Sequence, residues 1–238
     1  MRKDLGSQPA LFPMPVLMVA AYDENGKVDV MNAAWGQICD MDKVALCIDE
    51  DHKTTKNIRV SKAFTVSLAD VEHMAEADFF GIASGNKMED KFERTGFHQV
   101  KSAHVNAPII EEFPLAMECE LLEIVATENL HCVVGKIVNV SVDEKVLDGN
   151  RKVDPVKLNA FAFDQFQHGY YKITITFLGL FALSVEHVVH SLVGFFVNLA
   201  VHFVLYSILN RVKSTVFQFL QETLCIGSSS KSHHNHQK

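Results

Sequence analysis

The pair Asn25-Gly26 sits between two apolar, partly β-branched runs, residues 16–22 and 28–35. Both turn residues tolerate positive φ, so the segment reads as a β-hairpin and commits the start of the chain to antiparallel sheet. Further strand signals follow at residues 44–48 and 64–69, with a short helix from about Thr54 to Ser61 between them. Residues 71–83 read as more helical, and residues 88–94 as a second short helix. Two longer strands come next: residues 115–127, with the alternation Met117, Cys119, Leu121, and the valine-rich stretch 131–142. Many strands, few and short helices, and tight turns predict a mainly β fold, a closed or nearly closed barrel with helical insertions.

This pattern does not run to the end of the chain. From residue 173 to 210 Glu186 is the only formally charged residue, and residues 227–238 are polar and of low complexity. The expected organisation is therefore a domain over residues 1–172, an atypical apolar segment read as helical over 173–226, and a disordered tail over 227–238. Residues 188–209 hold no Asp, Glu, Lys or Arg and are long enough for a membrane span, with Arg211 and Lys213 as anchors behind them. His190, Asn198 and His202 oppose insertion. A helix packed on the barrel and a tail under no folding selection are the other readings.

A formal net charge of -7 argues against non-specific nucleic-acid binding, which runs on excess Lys and Arg. The five cysteines are widely spaced without a C-x-x-C pair, which fits neither a zinc site nor a disulfide framework and points to a reducing compartment. No apolar run precedes the first proline, so the expectation is a cytoplasmic protein without a signal peptide.

Two short stretches carry chemistry. His52, Lys53, Thr54, Thr55, Lys56 and Asn57 gather cations, hydroxyls and an amide at the predicted start of a helix. Such a start presents free backbone N–H groups, and with these side chains it suits a phosphate. It equally suits an ordinary solvated turn in which Thr54 or Thr55 caps the helix. Just upstream, Met31, Asn32, Ala33, Ala34 and Trp35 are small or flat enough for a planar ring to approach the backbone; a packed barrel strand with a buried tryptophan is the simpler alternative.

Order and spacing add to both. Phe12-Pro13-Met14-Pro15 leads into the hairpin, then Met-Asn-Ala-Ala-Trp-Gly, a strand, His-Lys-Thr-Thr-Lys-Asn-Ile, and Ala-Phe-Thr-Val-Ser-Leu. Ser84-Gly85, Glu89-Asp90-Lys91-Phe92, Thr95-Gly96-Phe97 and Leu115-Ala116-Met117-Glu118-Cys119 follow. Over roughly residues 10–172 this succession resembles the flavin reductase-like family, the FMN-binding split barrels that include flavoredoxin. The resemblance implies an FMN-binding split β-barrel, commonly a homodimer, with FMN held non-covalently. It implies that Met31, Asn32, Ala33, Ala34 and Trp35 run along the isoalloxazine ring. His52, Lys53, Thr54, Lys56 and Asn57 would hold the ribityl chain and phosphate, with Ser84, Gly85 and Lys91 completing the phosphate side.

The implied activity is that of a flavin reductase or a flavoredoxin-like electron carrier, served by NAD(P)H or by a protein donor. The alternative is a non-catalytic FMN carrier, held at a membrane by its C-terminal segment. No G-x-G-x-x-G fingerprint occurs, so a nicotinamide would visit transiently. Phe161, Phe163, Phe166, Tyr170 and Tyr171 suit either a stacking surface or core packing, and His168 and the two tyrosines are the better pocket candidates by position. His73, His98, His104 and His131 lack metal-ligand spacing, and no metal site is expected. Asp49-Glu50-Asp51 and Glu111-Glu112 read as solvated faces.

Overall fold

A computed structural model of the chain describes residues 1–173. In chain order its strands begin with β1 (Met14–Pro15), β2 (Leu17–Tyr22), β3 (Val28–Ala33), β4 (Gly36–Asp40) and β5 (Lys43–Leu46). Helix α1 (Lys53–Ser61), β6 (Ala63–Leu68) and α2 (Met74–Ile82) follow, then β7 (Gln99–Lys101) and β8 (Pro108–Ile110). The long strands β9 (Leu115–Thr127) and β10 (Leu130–Val142), the short helix α3 (Pro155–Leu158), β11 (Phe161–Asp164) and β12 (Gly169–Lys172) complete it.

Seven strands form one antiparallel sheet in the order β3-β2-β6-β9-β10-β5-β4. Its terminal strands, β3 and β4, are consecutive in the chain and joined only by Ala34 and Trp35. Laid flat, strands six places apart would lie about 29 Å from each other. Two linking residues reach about 11 Å. The sheet is therefore rolled until its ends meet, and Cys47 N–H, donating to Trp35 O at 2.7 Å, carries the β4–β5 pairing up to that corner. The barrel core holds Leu17, Val19, Met31, Leu46, Phe64, Val66 and Val133, with Ile58 of α1 added. The alternate β2 residues, Met18 and Ala20, point outward, where Phe80, Phe92, Phe113 and Phe161 cover them. With both faces covered, all six residues of β2 are buried and the strand is continuously apolar. A second sheet, β1-β11-β12, supplies part of that outer cover.

The predicted strands match closely, and four details differ. Only Gly26 takes a positive φ (79°); the turn spans residues 23–27, and Asp23 Oδ1 accepts from the backbone of Asn25 and Lys27 at 2.9 Å each. The strand expected over 28–35 stops at Ala33, and an unforeseen strand starts at Gly36, where a Cβ would lie 2.7 Å from both Leu17 Cδ1 and Leu46 Cδ2. Residues 88–94 are turns with one 3-10 turn at Glu93–Thr95, not a helix, because Lys91 and Phe92 are both drawn into the interior. The aromatic run from Phe161 folds as the hairpin β11–β12, and core packing holds for only part of it: Phe161 is in the core with Phe163 and Tyr170 against it, whereas Phe166 and Tyr171 are exposed. The expectations for the apolar segment, for the 188–209 span and for the 227–238 tail lie outside the described residues. Among the described residues no helix is long and apolar enough to cross a membrane.

Candidate functional site

In the seven-stranded sheet β3 pairs with β2 on one side and no strand on the other. Along its far end lies a cleft of about 640 Å³, walled by Met31 to Trp35, by Cys47 to Asp49 with His52, and by Asn129 to His131. A smaller hollow of about 220 Å³ continues from it, sharing Met31, Asn32 and His52 and adding Lys53, Thr54, Ser84, Gly85 and Lys91. A third, of about 400 Å³, shares Asp29, Lys53, Gly85 and Lys91 with the second and reaches Asn57. The three form one run along β3, from Trp35 to the loop at 84–91.

Twelve of the thirteen residues singled out from the sequence line this run: Met31, Asn32, Ala33, Ala34, Trp35, His52, Lys53, Thr54, Asn57, Ser84, Gly85 and Lys91. Lys56 does not. It lies on the solvent side of α1, with Nζ 3.9 Å from Asp51 Oδ1. Trp35, expected buried if it were only a packing residue, is 55% exposed. Its indole Nε1 donates to Gln165 Oε1 at 3.3 Å.

The expected threonine cap is absent. His52 is the N-cap residue and its side chain makes no capping bond. Thr54 and Thr55 therefore fall two and three residues past the cap, within the first turn, and face inward. Thr55 Oγ1 donates to Asp49 O at 2.7 Å, and Thr54 Oγ1 donates to the carboxylate of Asp29. Asp29 was not anticipated in the site. It is buried under the loop: a Cβ on Gly85 would lie 2.4 Å from Asp29 Oδ1, so only glycine fits there. Burial pushes the Asp29 pKa up, opposed by the Thr54 hydrogen bond and by the charges of Lys91 and Lys53. Burial pushes Lys91 down, opposed by Asp29. Lys91 Nζ donates to Phe80 O at 2.9 Å, which leaves two of its three N–H groups for another acceptor.

Other residues hold the cleft wall in place. Asn32 Nδ2 donates to Ala77 O at 3.0 Å and lies 3.5 Å from Tyr170 Oη, which itself donates to Asp78 Oδ1 at 2.9 Å. Burial, and then the Asp78 bond and charge, push Tyr170 up to about 12. Of the three C-terminal pocket candidates Tyr170 alone reaches the site. His168 sits at the β11–β12 turn with φ 54°, and Tyr171 is an exposed outer residue edge-on to Phe12. His131, one of the scattered histidines, instead joins the wall of the largest cleft. The pairing of β10 with β5 puts it there, a contact between segments remote in sequence. Among the described residues no group of three or more His, Cys, Asp and Glu side chains is placed to hold a metal.

Two buried nitrogens in this run have no hydrogen-bond partner, Asn57 Nδ2 near the loop and His131 Nδ1 in the largest cleft. Leaving such groups unpaired costs about 1–3 kcal/mol each. A ligand with an acceptor at the Asn57 end and a donor or acceptor at the His131 end would satisfy them. FMN fits that description: a dianionic phosphate for Asn57, Lys53, Lys91, Ser84 and the free N–H groups of the first turn of α1, and a flat polar-edged ring for the small residues of β3. Asp23, Glu24, Asp29 and Glu89 line the hollow that reaches Asn57 and oppose an anion; Lys27, Lys53 and Lys91 offset part of that charge, with Lys53 Nζ 3.8 Å from Asp23 Oδ2.

Known proteins give the same answer for the fold. The flavoredoxin of Desulfovibrio vulgaris (Miyazaki F) is 30% identical, with a TM-score of 0.72 over 76% of this chain and 98% of its own. The flavoredoxin from Methanosarcina acetivorans reaches 0.69 at 21% identity, over 76% and 95% of the two chains, a likeness of fold. An uncharacterised protein of Aquifex aeolicus (strain VF5) is 23% identical over 149 residues, 60% of this chain and 76% of that protein. The family model of the flavin reductase like domain matches residues 10–157, and the chain belongs to that family.

Proposed function

We propose that the protein binds FMN non-covalently along β3 and works as an FMN-dependent oxidoreductase. The observation that carries this reading is the pair of orphaned buried nitrogens, Asn57 Nδ2 and His131 Nδ1, at different places in one run of clefts. When bound, the flavin would supply the hydride and electron chemistry, and the protein orientation and electrostatics. The first turn of α1, with Lys53, Asn57, Ser84 and Lys91, binds the phosphate. Asn32, braced by Ala77 O and by Tyr170 with Asp78, fixes the wall beside the ring, and Gln165 steadies Trp35.

The donor is NAD(P)H or a protein, and its acceptor a small molecule or a protein; flavoredoxins and flavin reductases among the similar structures support this class. The exposed indole of Trp35 gives a visiting nicotinamide a flat surface at the open end of the cleft. The working unit is a homodimer, supported by the exposed apolar residues Leu122, Leu130, Val138 and Val140 along the β9–β10 ribbon. The expected compartment is the cytoplasm, with membrane attachment only through residues 188–209.

Absorption of the full-length protein after FMN addition and desalting tests the cofactor. Retained flavin colour that is lost in the Asn57→Leu/Lys91→Met variant is the expected result; a folded, colourless wild-type protein refutes it. Anaerobic NADH or NADPH then separates the enzyme, whose flavin bleaches, from the FMN carrier or from a protein that draws on a protein donor, whose flavin does not.

A further inference from the structure

The same cleft is lined by one thiol that FMN binding does not use, Cys47, and a second, Cys132, is buried next to the wall residue His131. In the antiparallel pair β5–β10, Leu46 faces Val133, so one step further along Cys47 faces Cys132. Facing residues in such a pair have Cα atoms about 4.5–5.5 Å apart. That lies inside the range a disulfide spans, about 4.4–6.8 Å. Leu46 and Val133 point into the barrel, so the two cysteines leave the sheet together on its other face. Cys47 is near enough to Cys132 to raise its pKa, and Cys132 Sγ donates to Val133 O at 3.9 Å.

Their positions differ usefully. Cys47 is exposed and lines the largest cleft, with its N–H tied to Trp35 O; Cys132 is buried and directly follows His131 in another wall. The four cysteines among the described residues are free thiols. Cys119 lies inside the barrel, its pKa pushed up to about 12 by burial and by Glu118. Cys39 is exposed on β4 but is offset along the strand from Trp35, the residue that Cys47 meets.

We propose that Cys47 and Cys132 form a reversible disulfide, by exchange with a low-molecular-weight disulfide of the glutathione type, that ties two walls of the cleft together. The Cys47 thiolate attacks one sulfur of the small disulfide; that S–S bond breaks and one small thiol leaves. Cys132 gives its proton to solvent and attacks the Cys47 sulfur, and the second small thiol leaves. The protein loses two electrons and two protons, and the small disulfide gains both as two thiols. Burial, and then the neighbouring Cys47, raise the Cys132 pKa, so the exposed Cys47 makes the first attack, and the cross-strand placement makes the attack by Cys132 intramolecular.

The test equilibrates the flavin-free full chain with mixtures of reduced and oxidised glutathione, quenches by alkylation and maps the peptides by mass. The expected product is a Cys47–Cys132 link in the wild type. Cys132→Ser should stop at a glutathione mixed disulfide on Cys47, Cys47→Ser should form neither species, and Cys39→Ser should behave as wild type. Alkylation of both thiols in the most oxidising mixture, or a link through Cys39, overturns the proposal. The tie to the cleft rests on the flavin reading, whereas the bond does not. Oxidised and reduced wild type should differ in FMN affinity by about fivefold or more, a difference absent from Cys132→Ser. A bond that forms and leaves FMN affinity unchanged overturns the coupling.

Discussion

Replacing Lys91 by methionine keeps the length of the side chain and removes one buried charge. Lys91 is 4% exposed and Asp29 7%, and each shifts the other's pKa through space. Without the ammonium, Asp29 either stays ionised with only Lys53 to offset it or takes up a proton. Removing one member of a contacting buried ion pair costs about 3–5 kcal/mol, and Lys91, which acts on Asp29 through space rather than in ion-pair contact, should count for the lower part of that range or less. Protonation sets a ceiling on that cost. The ordinary pKa of Asp29 is 3.8. At about 1.36 kcal/mol per pH unit, neutralising it costs about 4.4 kcal/mol at pH 7 and about 1.6 kcal/mol at pH 5. In the variant the folded pKa lies further above 3.8, so the native state binds the extra proton and stability falls as pH rises through that window. Urea unfolding of the flavin-free full chain should therefore show Lys91→Met destabilised by about 2–3 kcal/mol at pH 7 and by no more than about 1.6 kcal/mol at pH 5. Asp29→Asn/Lys91→Met, which keeps an acceptor for Thr54 without a charge, should recover most of the loss. An equal loss at both pH values, or a double variant no better than the single one, refutes the electrostatic account.

Asn57→Leu removes an orphaned donor, so the flavin-free protein should keep its stability while FMN affinity, read by fluorescence quenching, falls about 10–100-fold. Riboflavin, which lacks the phosphate, should bind the variant and the wild type alike. Gly85→Ala drives a Cβ to 2.4 Å from Asp29 Oδ1 and 3.1 Å from Lys53 Cβ; about 1–3 kcal/mol of stability and most FMN binding should go with it, measured by urea unfolding and by the same titration. Glu118 is fully buried and accepts from Ser102 Oγ and from Asn139 Nδ2. Burial works to raise its pKa, but hydrogen bonds from Ser102, Asn139 and Ser141 and the charge of His104 outweigh it and hold the group below 4.5. Its stabilisation is thus present at neutral pH and lost as pH falls through the lowered folded value. Glu118→Gln should lose about 1.5–3 kcal/mol at pH 7 and unfold over a flatter acid limb.

The elements legible in the sequence are those set by local chemistry. Gly26 supplies its own turn, and the alternation along β9 marks the strand without knowledge of its neighbours. Strand β4 escaped because Gly-Gln-Ile-Cys-Asp is mostly exposed and shows no alternation; pairing with β5 alone makes it a strand. Asp29, between two valines, reads as an ordinary outward-facing polar residue, and only the loop at Gly85 buries it. Lys56 is different, since helical period alone turns it away: it lies about 200° around α1 from Thr54. Composition drew it into the candidate set, and periodicity should have removed it. His131 and Cys132 gain meaning only from the β5–β10 register, which no local signal fixes.

The seam of the barrel explains why the cleft is where it is. A rolled sheet whose ends are joined by two residues brings β3 and β4 together at one corner, without a ladder along their length. Away from that corner β3 keeps one edge of backbone groups that no strand satisfies. An open edge of this kind invites pairing with another chain, and proteins commonly cover it. Here the cover is the first turn of α1, the end of α2 and residues 84–91, and these segments also carry Lys53, Ser84 and Lys91. The cover leaves the run of clefts open rather than sealing the edge. The protein thus places its donors on the segments that must approach β3 anyway, which is why twelve of the thirteen candidate residues fall along one strand edge despite coming from three separate stretches of sequence.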